Sequence, residues 1–481
     1  MDILNDPVAV LQKYLQIDTT DSKNDREACH FWLSIFSQHQ VKNQLIHIED
    51  YHNFETHTDQ PGEEKILLQN HLDVVPANRE NWDFDPFSGH IEGDYLYGRG
   101  ALDMKSIGVA QAYAMLKLVQ ENHPRKHLVK FCSLVQEETT SEFGARFYVK
   151  HLAEHGYQNL IVLGEGGFGV KLPDIFDGNL FLYESEQKGL LWLSISVHSK
   201  GGHGSISGKT KSSNPVIRAA RVAQKLSSYR FPIKIEKSVQ VFIKHLLEQS
   251  NSKLIRSLNF VPGFEALLFK TRYGTNLLNK IITRATGIPD MFRTSLNVTN
   301  ISTDKVAGIE EKRSSPLFSL RRILGQPPKR KINPITRFGV NVIPSYATIT
   351  CDIRFNSIYN VESLVDVIKK ISPKDAELRI INSQEFSSSD YRLIHEPIQL
   401  ELKKFYKDDF LISPFLFLAS SDNYFFREHG HQSFGMMPIV VPLDELQRIH
   451  GDNERINIQD FRQGCEAYYQ ILKALVGHFD F

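Results

Sequence analysis

The sequence predicts an α/β fold: a mostly parallel sheet with helices on both faces, interrupted by an inserted α+β domain. Three observations carry this expectation. Short apolar runs alternate with amphipathic stretches over the first 190 residues, the pattern of strand–helix units in parallel sheets. From about residue 190 the texture changes to strands with one polar face, as in GLLWLSISVHS. Helix–strand alternation resumes after about residue 390, so the first domain closes at the C-terminal end. The expected division is 1–189 and 389–481 for one domain and 190–388 for the insert, enlarged at 230–340.

The elements follow in order. Residues 7–16 and 25–40 read as amphipathic helices, and KILLQ (65–69) as a strand. DMKSIGVAQAYAMLKLVQ (103–120) reads as a helix with Asp103 at its N-cap. LVKFCSLV (128–135) is a predominantly apolar run of Val, Leu and Phe, as suits a strand covered on both faces. A helix near 141–155 and the strand NLIVL (159–163) complete the first part. The insert offers a helix at 214–228, the strands SLNVTNIST and ATITCDIRF, the helix VESLVDVIKK and the strand AELRIINS. Residues 230–340 are poorly patterned, and 305–337 carries nine Lys/Arg against two Asp/Glu. That segment reads as a solvated surface loop.

Composition narrows the function. With 481 residues, 41% of them hydrophobic and 23% charged, the chain has a soluble globular profile too long for one simple core. A formal net charge of zero argues against nucleic acid or an anionic membrane as partner. Cys29, Cys132, Cys351 and Cys465 lie far apart and read as free buried thiols of a reducing compartment. No signal peptide or membrane-spanning run is apparent, so a cytoplasmic location is expected. The sequons at Asn297 and Asn300 read as strand residues.

Two familiar motifs fail on context. GEGGFG (164–169) fits the spacing of a dinucleotide fingerprint, but Pro173 breaks any helix that could meet a pyrophosphate. GKT at 208–210 lacks the leading glycine of a phosphate loop, and no nucleophile elbow exists.

What remains is a set of His and acidic residues at predicted strand ends. NHLDVVP supplies His71 and Asp73, YGRGALDMKS supplies Asp103, VQEETTSE supplies Glu137 and Glu138, LIVLGEGG supplies Glu165, and IHGDNERI supplies His450. In an open α/β sheet, residues at the carboxyl ends of strands face one crevice. So many carboxylates and imidazoles gathered there would repel one another without a cation. Mixed His, Asp and Glu donors suit zinc, with cobalt or manganese as substitutes. Each element alone is unspecific: a lone HxD is usually a surface pair, and a lone Glu-Glu is usually solvated. Adjacent Glu137 and Glu138 would point opposite ways in an extended segment and so serve different roles.

The ordered set NHLDVVP, WDFDPF, YGRGALDMK, QEE, LGEGG, GHGS and HGDNER resembles the M20 family of di-metal amidohydrolases, from about residue 8 to 475. Its EGG form and long insert look most like the carboxypeptidase S branch. The resemblance implies a catalytic domain in two parts and an inserted lid and dimerisation domain, hence a homodimer. It implies two Zn2+ per chain. His71, Asp103 and Glu165 would hold one, and a bridging Asp103 with Glu138 and His450 the other. Asp73 would orient His71. Glu137 would act as general base on the water between ions about 3.5–4 Å apart. His203, in VHSKGGHGSI, would stabilise the oxyanion. Asn341 would contact the substrate backbone and Arg354 its carboxylate. The implied reaction is hydrolysis of an amide next to a free carboxylate, in an N-acyl amino acid or a short peptide. The peptide bond Asp103–Met104 is expected to be cis. Two departures are visible: FLASSDNYF replaces a glycine-rich run before Asp422, and the insert is about twice the usual length.

Overall fold

The computed structural model describes residues 2–21, 24–58, 63–122, 127–172, 176–205, 214–249, 263–286, 291–303, 342–407 and 410–478. They form two compact units. One comprises Met1–Lys188, Ile235–Met291 and Ser387–Phe481; the other comprises Gly189–Lys234 and Phe292–Phe386.

The first unit is built on a ten-stranded sheet with a parallel centre. There His127–Leu134, Glu63–His71, Ile161–Gly164 and Gln432–Gly435 lie side by side in parallel register. On one flank the hairpin Asn43–Ile48/Tyr51–His57 is antiparallel; on the other, Phe176–Gln187 pairs antiparallel with Phe168–Leu172 and Ser387–Ser388 but parallel with Phe410–Phe417. Every residue of His127–Leu134 is buried, as suits a mostly apolar strand covered on both faces, and its one lysine, Lys130, pairs with buried Glu55 at 3.0 Å. Alternation along the neighbouring strand shows why both faces carry helices. Ile66 and Leu68 join the core built with helices Lys105–Gln120 and Ile458–His478. Leu67, pointing the other way, packs with Tyr148, Val149 and Leu152 of helix Ala145–Glu154.

The second unit is a four-stranded antiparallel sheet in the order Ser295–Thr303, Tyr346–Phe355, Gly189–His198, Glu377–Gln384. Leu191, Leu193, Ile195 and Val197 alternate onto one face with Ala347, Ile349, Cys351 and Ile353. Helices Pro215–Ser228 and Val361–Ile371 cover that face through Val222, Leu226, Leu364 and Ile368. Asn214 caps the first helix by accepting from Val216 N at 2.9 Å.

Two sequence expectations need correction. The described residues of 235–291 group with the first unit, not with the insert. Helix Lys237–Gln249 buries Val239, Phe242 and Ile243, at i, i+3 and i+4, and packs on strand Phe410–Phe417 of the first unit. Ser238 N also donates to buried Glu186 at 3.0 Å. Nor is Asp103 a helix cap: the helix runs Lys105–Gln120 from Met104, without a capping side chain. Its carboxylate turns instead toward two histidines. Asn341 and the basic segment 305–337 lie outside the described residues. Among the described residues no helix is long and apolar enough to cross a membrane. All four cysteines are free and buried.

Candidate metal centre

The carboxyl ends of three central strands deliver the site. His71 ends Glu63–His71, the Glu137–Glu138 turn follows His127–Leu134, and Glu165 follows Ile161–Gly164. Asp103 arrives on the turn before helix Lys105–Gln120, and the Asp103–Met104 bond is cis, as expected. His450 comes from a turn near the C-terminus, with φ of 61°, a left-handed conformation uncommon for a residue with a side chain.

Asp103 is the hub. Its Oδ1 lies 3.0 Å from His71 Nε2, and its Oδ2 lies 3.1 Å from His450 Nε2. His450 Nε2 is also 3.2 Å from Glu138 Oε1, and His71 Nε2 is 3.8 Å from Glu165 Oε2. Three groups of donor atoms therefore gather within 4.8 Å: His71 with Asp103 and Glu165, Asp103 with Glu138 and His450, and His71 with Glu137 and Glu138.

The local geometry departs from the sequence reading at two points. Glu137 and Glu138 sit on a turn after Gln136 (φ 66°), not in an extended segment, so both approach the cluster rather than pointing apart. Asp73 presents its backbone carbonyl to His71 Nδ1 at 2.8 Å, whereas its carboxylate is 3.8 Å away. That carboxylate accepts from Glu137 N at 3.1 Å and Glu138 N at 3.0 Å, so it holds the turn that carries both glutamates.

The electrostatics are those of crowded, buried charge. Burial, then the charge of Glu165, pushes the Glu137 carboxyl well above its usual range. Burial and the charge of Asp103 do the same to Glu165. Burial also opposes ionisation of Asp103, but hydrogen bonds from His450 and His71 prevail and hold its carboxyl below the usual range. Those contacts raise His450 to about 10, and Asp103 outweighs burial to raise His71 well above an ordinary imidazole. Glu165 Oε2 is buried and accepts no hydrogen bond. An orphaned carboxylate oxygen facing a histidine and further carboxylates is a fit for a cation.

Residues outside the expected set build the frame. Glu454, fully buried, accepts from Leu102 N at 2.7 Å, Asp103 N at 3.2 Å and Arg99 Nη1 at 2.7 Å. Asn423 Nδ2 donates to the Glu165 carbonyl at 2.6 Å and to Glu184 at 2.7 Å, and Glu184 pairs with Arg427. Asp422 accepts from Ser141 Oγ at 2.6 Å and Gln69 Nε2 at 3.1 Å. Arg99 and Glu454 stand inside the motifs YGRGALD and HGDNER, but their pairing joins positions 355 apart in sequence. Only folding reveals it.

His203 and Arg354 belong to the second unit. His203 follows Gly201 and Gly202, both at positive φ, and pairs in register with Val342, next to Asn341. Its Nδ1 lies 2.7 Å from Ser205 Oγ. The Arg354 guanidinium meets Asp352, two residues away on the same sheet face, with Nε donating to Oδ1 at 2.9 Å.

A parallel-centred α/β unit whose strand ends gather two His and several carboxylates around one shared aspartate offers donors that could hold metal ions. The chain belongs to peptidase family M20/M25/M40, whose pattern matches residues 67–474. It is 25% identical over 451 residues to the human N-fatty-acyl-amino acid synthase/hydrolase PM20D1, covering 91% of this chain and 78% of that protein. It is 24% identical over 429 residues to a probable carboxypeptidase S-like 2 of Dictyostelium discoideum, covering 85% of this chain and 71% of that protein. In fold it is similar to the M20 metallo-carboxypeptidase Sso-CP2 of Sulfolobus solfataricus, with a TM-score of 0.69, 18% identity and 99% of both chains covered.

Proposed function

We propose that this M20 hydrolase cleaves an amide next to a free carboxylate, with N-acyl amino acids as its first substrate class. One observation carries the reading: the two oxygens of Asp103 face different histidines, at 3.0 and 3.1 Å, so one carboxylate serves two donor sets. His71, Asp103 and Glu165 would hold one ion, and Asp103, Glu138 and His450 the other. One imidazole and two carboxylates at each position suit zinc, with cobalt or manganese as substitutes. Bound ions would supply Lewis-acid polarisation of the scissile carbonyl and acidify the attacking water. Glu137 takes the proton from that water and passes it to the leaving amine, a role that its raised proton affinity suits. Asp73 fixes the Glu137 turn. His203 stabilises the developing oxyanion, Asn341 contacts the substrate backbone, and Arg354 receives the carboxylate. The inserted domain acts as a lid and dimerisation domain.

The N-acyl reading is supported by similarity across 91% of the chain to a protein named for N-fatty-acyl amino acids. A carboxypeptidase or dipeptidase reading has support from the carboxypeptidase S-like relative, and the two part on whether the amine side must be a peptide. Metal-loaded protein assayed against N-acyl amino acids and against dipeptides decides between them. Glu137→Gln should keep both ions and lose about 10²–10⁴-fold in kcat. An amide that leaves kcat unchanged would remove Glu137 from the chemistry. A parent inactive on both substrate sets, with metals bound, would favour a non-catalytic binding module.

A further inference from the structure

The turn that presents Asp103 and the turn that presents His450 are tied together by two residues that touch no candidate donor with their side chains. Glu454 lies four positions after His450 and Arg99 four before Asp103; both are buried, with side chains 0% and 2% exposed. Oε1 of Glu454 accepts from the peptide N–H of Leu102 at 2.7 Å and of Asp103 at 3.2 Å. Oε2 accepts from Gly100 N at 3.2 Å and from Arg99 Nη1 at 2.7 Å. Arg99 then crosses back, donating from Nη2 to the Gly451 carbonyl at 2.9 Å, one residue from His450. Its guanidinium is stacked over Trp82 at 5.4 Å. Beside this pair, Asn453 ties the His450 turn to the segment that carries Trp82, by reciprocal bonds of 2.9 and 3.0 Å with Asp83.

We propose that Glu454 and Arg99 are positioning residues that set the second metal position, by fixing how far the His450 turn stands from the Asp103 carboxylate. The inference rests on the two-ion reading of the site. Its physical basis is the distribution of the donors. The Asp103–Glu138–His450 position takes one donor from each tied turn, so any slack between the turns changes its shape directly. The His71–Asp103–Glu165 position depends on strand ends for two of its three donors, and the central sheet holds those. A buried carboxylate that accepts three peptide N–H groups and a guanidinium leaves the Asp103 turn little freedom. Its isosteric amide would turn donors toward donors at Oε2.

The test is titration of metal-free protein with Zn2+ by calorimetry, with Co2+ absorption as an independent count of sites. Glu454→Gln should weaken one of two sites by roughly ten- to a hundredfold, the range usual for partners of metal ligands. The other site should change by less than about threefold on the same argument. Arg99→Lys keeps the charge but cannot reach Glu454 and the Gly451 carbonyl with a forked donor pair. It should weaken the same site by a smaller factor, and it stands in if Glu454→Gln does not fold. Equal weakening of both sites, or a lowered melting temperature with both affinities unchanged, would reduce the pair to a general structural role and overturn the inference. A parent that never takes a second ion sinks the two-ion reading and this inference with it. A two-ion parent with an unaltered variant sinks this inference alone.

Discussion

Two pairs of histidines in the first unit live in opposite electrostatic settings. His71 and His450 flank Asp103 among Glu137, Glu138 and Glu165, and both hold protons more tightly than a free imidazole. His245 and His395 stack at 5.2 Å, where helix Lys237–Gln249 and helix Arg392–Tyr406 meet, and both hold protons more weakly. Burial lowers His395 to about 4, and the neighbouring His245 adds to the effect. The groups around that pair are Tyr183, whose hydroxyl meets His395 Nδ1 at 3.1 Å, Tyr391 against its ring, and Ser413 at 3.1 Å from His245 Nδ1. Glu248 raises His245 and Lys244 lowers it, and neither reverses the effect of burial. The same side chain thus becomes a candidate ligand or a neutral packing element according to what surrounds it. Carboxylates in contact outweigh desolvation; aromatic rings and hydroxyls do not.

The comparison can be broken most severely at Asp103. Asp103→Ala removes the one carboxylate common to both donor sets. Metal affinity at both positions should fall by more than about a hundredfold, beyond the range for outer partners of ligands. His450→Ala should weaken only one position. Metal analysis after dialysis against graded chelator reads both, and equal retention by the two variants would refute the shared-carboxylate assignment.

A second measurement uses protons. Imidazole ligates only when neutral, so ions must compete with the protons that His71 and His450 hold more tightly than a free imidazole. Loading both ions should release protons from the histidines and from Glu165, whose carboxyl is also raised, seen as a buffer-dependent heat in calorimetry. Affinity should climb with pH until His450 titrates, at about 10. Heats independent of the buffer would mean that the two histidines are neutral before metal arrives.

The smallest effect is expected at the stacked pair. His395 has a folded value of about 4, below the 6.5 of an unperturbed histidine, so between those values the unfolded chain binds the extra proton. Stability present above pH 6.5 is therefore lost as pH falls toward 4, by at most about 3 kcal/mol. His395→Phe should flatten that loss in denaturant titrations of metal-free protein at pH 7 and 4.5. A variant that follows the parent's pH dependence would show that the pair does not titrate in this window.

The motifs made the cluster legible because candidate donors sit at strand ends and turns in a fixed order. His71, Asp103, Glu138, Glu165 and His450, each unspecific alone, stood out through that order. The route of the chain through 235–291 did not. Its helix has the periodicity of any half-buried helix, and that periodicity does not say which core it will cover. The roles of neighbouring carboxylates were equally hidden. Asp73 carries its motif's aspartate, but its carboxylate bonds the peptide of Glu137 and Glu138, because a positive φ at Gln136 swings that turn over it.

By itself, the sequence determined the alternation that makes a parallel-centred sheet with helices on both faces, and the donor types available for a cation. Both follow from local rules, the period of apolar residues and the chemistry of side chains. Tertiary structure alone decided which histidines share a carboxylate, which of them bind protons more tightly, and that Arg99 and Glu454 join turns 355 residues apart. Those outcomes depend on distances and burial that arise only when remote segments pack, since a carboxylate's pKa and a metal position's shape belong to the assembled site rather than to any residue in it.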